Sequence, residues 1–261
     1  MISFKNVSFC YPSYGQEPKK ALADVSFTIP DGTFVGIAGN MGSGKTTLCS
    51  LMSGLLKPTS GQIERTGSVS FAMQFPENQL FEGTVIKDVM FGPLNRGLSE
   101  KEARMISEKC LASLGLGESF FDRNPLRLSG GEKRRVALAG ILSMDADTII
   151  LDEPCAGLDP KWRDRLYGIL QDLNRKGKTV IIVSHNTDDI ARYCRTMLYL
   201  KSSELADIGN VGDVICRHEE LENSSMAFAR RLSEAGMEID YKKAVTTEDL
   251  ASLIADRQSS L

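Results

Sequence analysis

A glycine-rich stretch at residues 36 to 48 carries the clearest chemistry in this sequence. It reads GIAGNMGSGKTTL and contains the pattern GxxxxGK[ST], which is typical of loops that bind a nucleoside triphosphate. Its glycines permit the unusual φ values and the close approach that several inward-pointing N–H groups require. Lys45 would bring a mobile positive charge to the β and γ phosphates, and Thr46 a hydroxyl ligand for Mg²⁺. The predicted nucleotide contacts in this loop are Gly39, Asn40, Gly42, Ser43, Gly44, Lys45, Thr46 and Thr47.

Other polar residues follow short apolar runs that are typical of buried strands. Gln74 comes after one such run, the acidic pair Asp152 and Glu153 after a second, and His185 after a third. Because open α/β sheets bind ligands at the carboxyl ends of their strands, these residues and the glycine-rich loop are predicted to form one composite site. Asp152 suits a metal-linked carboxylate, and Glu153 suits a carboxylate that polarises water. Taken alone, the acidic pair could be a surface pair, and His185 could equally be a hydrogen-bonded core histidine.

Two weaker signals lie elsewhere in the chain. Ser129, Gly130 and Gly131 precede a helical pattern, which indicates a second anion-binding helix start, although an ordinary N-cap gives the same pattern. Tyr11 ends an alternating apolar pattern just before a turn-rich stretch at residues 12 to 18. Its ring could stack on an adenine, worth about 1 to 3 kcal/mol, or could pack against the edge of its own sheet.

The composition narrows the class of protein. The chain has 261 residues, 42% of them hydrophobic, and a net charge of −3, so it can bury a full core and has no general attraction for nucleic acid. No apolar run is long enough to cross a membrane, which predicts a soluble intracellular protein. Six cysteines show no metal-like spacing and are predicted to be reduced thiols. The basic run at residues 133 to 135 is interpreted as a solvated helix face or a partner contact.

Hydrophobic periodicity predicts the elements that must position these side chains. Residues 1 to 30 predict two strands at an exposed end, and the later alternation of strands and helices predicts a mostly parallel, doubly wound α/β core. Residues 84 to 145 read as a helical insert, in which Ser99 and Glu102 are predicted to form a capping box.

The segment from residue 211 to residue 261 is predicted to be helical as well. Leu221, Phe228 and Leu232 lie at helical spacing, and Thr246 with Asp249 is predicted to cap a last helix. From the pattern alone, this segment could be a simple packing flap.

The order of these motifs resembles that of the ATPase subunits of ABC transporters, over residues 1 to about 210. Two short segments, QFPENQ at 74 to 79 and EPCAGLDP at 153 to 160, are similar to those of the ATPases of energy-coupling-factor transporters. The resemblance implies a P-loop NTPase of the ABC type, with a mostly parallel core sheet, an N-terminal antiparallel β subdomain, a helical signature subdomain and a C-terminal extension. It implies that Gly39 to Thr46 form the Walker A loop, that Gln74 is the Q-loop glutamine and a metal contact, and that Ser129, Gly130 and Gly131 are signature residues. It also implies that Asp152 is the Walker B aspartate, Glu153 the catalytic glutamate and His185 the switch histidine. Gly157 to Asp159 would form the D-loop, and Tyr11 would be the adenine-stacking aromatic.

The resemblance also implies cofactors and partners. It predicts ATP and Mg²⁺ at a seam between two ATPase subunits, identical or related, with the signature residues of one completing the site of the other. The partners would be a membrane-embedded coupling protein and, through it, a substrate-binding membrane protein for a vitamin or a transition-metal ion, with the chain on the cytoplasmic face of the membrane. Residues 1 to 210 would be the ATPase domain and residues 211 to 261 a dimer-contact extension. Other ABC importers and soluble, non-transport ABC ATPases are the alternatives.

Two positions depart from the family's usual pattern. Glu132 stands where the signature usually has glutamine, and we expect its charge to weaken the contact with the partner's nucleotide. Asn186 follows His185 where aspartate is common, and we expect little effect because the imidazole is unchanged.

Overall fold

A six-stranded sheet forms the centre of the molecule, with strand order β5-β6-β7-β3-β8-β9. The computed structural model describes residues 1–12, 19–237 and 239–258, so the predicted turn at residues 12 to 18 lies outside the described residues from position 13 onward. All neighbouring strands of this sheet are parallel except β8 and β9. Its strands are β3 (Phe34–Gly39), β5 (Val69–Ala72), β6 (Thr148–Asp152), β7 (Thr179–Val183), β8 (Thr196–Lys201) and β9 (Glu204–Asn210). The predicted mostly parallel core is confirmed.

A second, antiparallel sheet covers one face of the central sheet. It has the order β2-β1-β4, with β1 at Ile2–Tyr11, β2 at Lys19–Ile29 and β4 at Ser60–Arg65. Helix α1 (Lys45–Ser53) lies between the two sheets, where Leu48 and its apolar neighbours are fully buried. Burial of one such side chain stabilises the fold by about 1.5–3 kcal/mol. The two N-terminal strands predicted from alternation are therefore present.

Helices dominate the segment between β5 and β6, as the sequence predicts. They are α2 (Val85–Asn95), α3 (Glu100–Ser113) and α4 (Gly130–Ser143), which pack on one another. Helix α3 begins with the predicted capping box, in which Glu102 N donates to Ser99 Oγ and Ser99 N donates to the Glu102 carboxylate. Two helices complete the core: α5 (Pro160–Arg175) precedes β7, and α6 (Thr187–Tyr193) follows it.

The C-terminal segment is helical but is not organised as the spacing suggests. It contains α7 (Val211–Arg217), α8 (Ser224–Glu234) and α9 (Thr247–Gln258), and Thr246 and Asp249 form the predicted cap of α9. Leu221, however, lies in a separate 3₁₀ helix, and Phe228 on α8 is 51% exposed, so the two do not share one buried helical face. Val211 and Leu221 pack into the main core, and a division of the chain at residue 210 stays a prediction.

Candidate nucleotide-binding and catalytic site

The glycine-rich loop joins β3 to α1 and has the backbone shape that its glycines permit. Gly42 and Gly44 have φ values of 79° and 101°, in the left-handed region that favours glycine. A Cβ on Gly44 would lie 2.5 Å from Ala21 O, so a side chain is excluded by contact as well as by φ. Helix α1 starts immediately afterwards at Lys45, which points its N-terminal N–H groups toward the loop.

Two side chains of this loop are placed for an anion. Lys45 is buried, and its Nζ donates to Gly39 O at 2.7 Å and to Asn40 O at 2.9 Å. Burial lowers the pKa of Lys45, an effect opposed by the charges of Glu153 and Asp152. Ser43 Oγ is buried and has no hydrogen-bond partner in the part of the chain that the structure describes. A buried hydroxyl normally has a partner, and a phosphate oxygen in the loop would supply one.

Thr46 and Asp152 place two oxygen atoms that could be metal ligands side by side at the base of the loop. Thr46 Oγ1 donates to Asp152 Oδ2 at 2.7 Å, and burial raises the pKa of Asp152 against the effect of this hydrogen bond. In the described part of the chain, no cluster of three His, Cys, Asp or Glu side chains could hold a metal unaided. Mg²⁺ commonly takes one or two protein oxygens together with phosphates and water, and the pair fits that chemistry.

Glu153 occupies a strained and incompletely paired position directly after β6. Its φ is 52°, which is rare for a residue with a side chain. Burial, together with the neighbouring charge of Asp152, raises the pKa of Glu153 to about 7. Its buried Oε1 lies 3.3 Å from His185 Nε2 but has no hydrogen-bond partner among the described residues. Burial and the charge of Lys45 lower the pKa of His185, so the imidazole is mainly neutral at pH 7.

One cleft of about 380 Å³ collects most of the predicted site residues. Its lining combines the glycine-rich loop with the polar residues predicted at the strand ends, namely Tyr11, Gly42, Gly44, Lys45, Thr46, Thr47, Gln74, Asp152, Glu153 and His185. Tyr11 OH lies 3.1 Å from Thr47 Oγ1, and its ring meets Phe9 edge-on at 4.9 Å. The ring thus packs on its own sheet and also borders the cleft, and adenine stacking stays a prediction.

The signature residues do not line this cleft. Ser129 caps α4 in a capping box in which Glu132 accepts from Ser129 N at 2.8 Å and from Ser129 Oγ at 2.7 Å. The ordinary N-cap interpretation is therefore correct for this chain alone, and Gly130 and Gly131 form the first turn of the helix. The Ser129 hydrogen bonds lower the pKa of Glu132, which keeps its negative charge at the start of this helix. Asp159 is likewise outside the cleft and caps α5 by accepting from Trp162 N.

The interpretation of the basic run as a solvated face is wrong for Arg134. This side chain is only 4% exposed, and it donates to the backbone carbonyls of Glu153 and Pro154. Arg135 is partly buried, with its guanidinium 4.1 Å from the Trp162 ring centroid. Helical spacing could have revealed Arg134, because it precedes the buried Leu138 by four residues on the same helix.

Comparison with known proteins identifies the family to which this sequence and its site belong. The sequence model of the ABC transporter family fits residues 22 to 156, which is just over half of the chain. The chain belongs to the ABC transporter family. Its site therefore belongs to a class of ATPases, and the ABC-type fold predicted from the motifs is confirmed.

Individual relatives show which members of the family this chain is similar to. The energy-coupling factor transporter ATP-binding protein EcfA3 of Oenococcus oeni is 41% identical over 92% of this chain and 91% of its own length. EcfA2 of Lactobacillus johnsonii is 38% identical over 98% of this chain and 96% of its own. Among solved structures, cbiO1 of Clostridium perfringens, described as part of the ABC transporter complex cbiONQ, has a TM-score of 0.72 at 30% identity, covering 90% of this chain and 96% of its own. The dimeric ABC transporter cassette MJ0796 has a TM-score of 0.74 at 31% identity, covering 81% of this chain and 99% of its own.

Proposed function

We propose that this chain is the subunit that binds and hydrolyses ATP to power an energy-coupling-factor type membrane importer. The observation that carries the proposal is the single cleft in which a phosphate-binding loop faces two carboxylates and a histidine. Family membership and the relatives named above support the same reaction. Lys45 would bind the β and γ phosphates, and Gln74 would contact the γ-phosphate or the metal from the rim of the cleft.

Glu153 is the group we assign to activating water. In its carboxylate form it would accept a hydrogen bond from the attacking water and draw off its proton, and a pKa near 7 suits that exchange. His185, 3.3 Å away, would donate a hydrogen bond toward the γ-phosphate and hold the transferred group in line. Mg²⁺, held by Thr46 and Asp152, would supply positive charge to the phosphate oxygens.

A second ATPase subunit would complete the site. Ser129, Gly130 and Gly131 form an exposed helix start outside the chain's own cleft, which is the arrangement expected if they serve the nucleotide of a neighbouring subunit. Asp159 would lie in the same seam. The relative MJ0796 is a dimeric cassette, and one of its structures is a post-hydrolysis state bound to ADP and Pi. The partner here would be an identical or a related subunit.

An apolar groove beside the Q-loop, which here is Gln74 with the loop that follows it from Phe75 to Gly83, would receive a helix of the membrane-embedded coupling protein. The groove holds about 320 Å³ between the 3₁₀ helix Pro76–Gln79, α2 and α4. Phe81 and Phe91 meet edge-on at 4.8 Å on its border and remain 59% and 44% exposed. Among the helices that the structure describes, none combines the length and the apolar character that a bilayer-spanning segment needs. We propose the cytoplasmic face of the membrane as the location of the chain, and a vitamin or a transition-metal ion as the cargo of the complex.

Loss of Lys45 tests the nucleotide site directly. We expect Lys45→Ala to weaken ATP binding by about 10- to 100-fold, because a charge-assisted hydrogen bond to phosphate contributes about 1.5–3 kcal/mol. Isothermal titration calorimetry with MgATP measures the change. Lys5→Ala is the matched control, since Lys5 pairs with Glu64 on the surface, away from the cleft. Equal affinity in Lys45→Ala and the control would contradict the assignment of the loop.

Co-purification tests the transport half of the proposal. The tagged chain, extracted from its native membrane in mild detergent, should retain a second ATPase subunit and a membrane protein that mass spectrometry can identify. Replacing Phe81 and Phe91 by serine should release the membrane protein while the ATPase pair remains. Retention of the membrane protein by this variant would exclude the groove as its docking site.

A further inference from the structure

The guanidinium of Arg134 contacts both the backbone at Glu153 and Glu77, which lies in the segment that borders the groove. Arg134 lies on α4 and is almost fully buried. Its Nε donates to Pro154 O at 3.1 Å and its Nη2 to Glu153 O, while its Nη1 lies 3.4 Å from Glu77 Oε1. One side chain therefore contacts the backbone at the assigned catalytic glutamate and a carboxylate of the Q-loop segment.

The backbone that Arg134 holds is the part of the site that most needs support. Glu153 has a left-handed φ of 52°, and the costs of such a conformation must be met by surrounding contacts. A planar guanidinium that binds two consecutive carbonyls fixes the orientation of the peptide between them, which a single-point ammonium does not. The direction in which the Glu153 side chain leaves the backbone is thus set in part from α4.

The other end of the contact reaches the groove. Glu77 lies in the 3₁₀ helix Pro76–Gln79, of which Pro76 and Gln79 line the groove. Glu77 is 19% exposed, and its Oε2 is buried with no hydrogen-bond partner from the residues that the structure describes. The Arg134 guanidinium lies 3.4 Å from the Glu77 carboxylate, so this ion pair links the short helix to Arg134.

We propose that Arg134 is a positioning residue for Glu153, and that Glu77 ties it to the segment that borders the groove. The inference rests on the proposed function, because it takes Glu153 as the residue that activates water. A partner helix seated in the groove would then set the alignment of Glu153 through Glu77 and Arg134, without contacting the nucleotide.

The first test replaces the planar group and keeps its charge. Arg134→Lys retains a cation beside Glu77 but cannot bind both carbonyls, and misalignment of a catalytic group lowers turnover by about 10- to 100-fold. We expect that loss in kcat for MgATP, with ATP affinity by calorimetry within about twofold of the parent, since no phosphate contact is removed. Arg165→Lys is the matched control: Arg165 also donates Nε and Nη2 to two consecutive carbonyls, Ser113 O and Ala112 O, on a surface away from the cleft. Equal kcat losses in the two variants, or none in Arg134→Lys, would overturn the proposal.

A double variant separates positioning from general damage to the fold. If Arg134 acts through Glu153, Arg134→Lys should cost little further activity, less than about twofold, in a Glu153→Gln background. A purely structural effect would multiply the two losses. Glu77→Gln keeps the proposal testable if Arg134→Lys does not fold: it keeps an acceptor for Nη1 but removes the charge, and should lower kcat by about two- to fivefold. An unchanged kcat in Glu77→Gln would remove Glu77 from the connection.

The same measurements keep this proposal distinct from the proposed function. If Glu153→Gln alone leaves turnover unchanged, the assignment of Glu153 fails and the inference fails with it. If Glu153→Gln abolishes turnover while Arg134→Lys and Arg165→Lys both retain it, only the role of Arg134 is lost.

Discussion

The sequence has two histidines, and each faces a carboxylate in a different way. His185 Nε2 lies 3.3 Å from Glu153 Oε1, and His218 Nε2 lies 3.0 Å from Asp207 Oδ2. Asp207 also accepts from Arg217 Nε at 2.7 Å and from Arg217 Nη2 at 3.1 Å. The Arg217 hydrogen bonds, with a further one from His218, lower the pKa of Asp207, whereas burial raises that of Glu153 to about 7.

The difference lies in how completely each carboxylate is paired. Asp207 has donors on both oxygens, including Ile208 N on Oδ1 at 2.8 Å, and joins β9 to the end of α7. Glu153 has a buried oxygen without a partner and a backbone in the left-handed region. A satisfied pair stabilises the fold, while an unsatisfied one costs stability and leaves a group ready to exchange a proton. The two pairs therefore predict opposite responses to the same kind of substitution.

The largest expected difference is in turnover. Glu153→Gln should lower kcat by about 10²- to 10⁴-fold, because the amide cannot take a proton from water. ATP affinity should stay intact, since Glu153 is assigned to the attacking water and not to a phosphate oxygen. Asp207→Asn should leave kcat within about twofold of the parent, because Asp207 does not line the cleft. Steady-state ATPase assays on both variants test the contrast, and normal turnover in Glu153→Gln would remove Glu153 from the catalytic role.

The second expected difference is in stability, and its sign is opposite for the two residues. The pKa of Glu153 is raised from 4.5 to about 7 in the folded state, so the contribution of Glu153 to stability is most favourable below pH 4.5 and falls as pH rises to about 7. Glu153→Gln should therefore raise the free energy of unfolding at pH 8 by roughly 1 to 3 kcal/mol, because the amide removes the cost of keeping a charge in this partly buried position. At pH 4.5 the gain should nearly disappear.

Asp207 shows the reverse dependence in the same experiment. Its folded-state pKa is lowered, so its contribution is present above the ordinary value of 3.8 and is lost as pH falls. Asp207→Asn should lower the free energy of unfolding at pH 7, by less than the gain in Glu153→Gln, because it removes hydrogen bonds from Arg217, which is half exposed and screened by solvent. Urea unfolding at several pH values measures both variants. Equal pH dependence of their stability changes would show that pairing does not distinguish the two sites.

The sequence predicts the local structure around the site better than it predicts the electrostatic environment of Glu153. The glycine-rich loop, the strand before Asp152 and the capping box at Ser99 depend on residues close together in the chain, and each is where its pattern predicts. The environment of Glu153 depends on contacts with α4 and with the residues after β7, which are far away in sequence. No periodicity reports that one of its oxygens lacks a partner.

The wrong predictions for Arg134 and Phe228 also arise from contacts that the local sequence does not show. Arg134 looks solvated because charge favours water, yet two carbonyls and Glu77 replace that water. Phe228 looks buried because its spacing is helical, yet it is exposed on α8. Sequence spacing gives the face of an element but not what covers that face, so burial of charged and aromatic residues requires the three-dimensional packing.

The smallest expected effect, and the most specific, is the pH profile of turnover. If ionised Glu153 activates water, kcat should rise by about tenfold between pH 6 and pH 8, because the ionised fraction of a group with a pKa near 7 changes from about 0.1 to about 0.9 over that range. Asp207→Asn should show the same midpoint, since its carboxylate does not face the cleft. Glu153→Gln should lose the rise and retain only its low residual rate. A midpoint below pH 5.5 in the parent would mean that Glu153 is ionised throughout, and that the unpaired oxygen found here gains a partner during turnover.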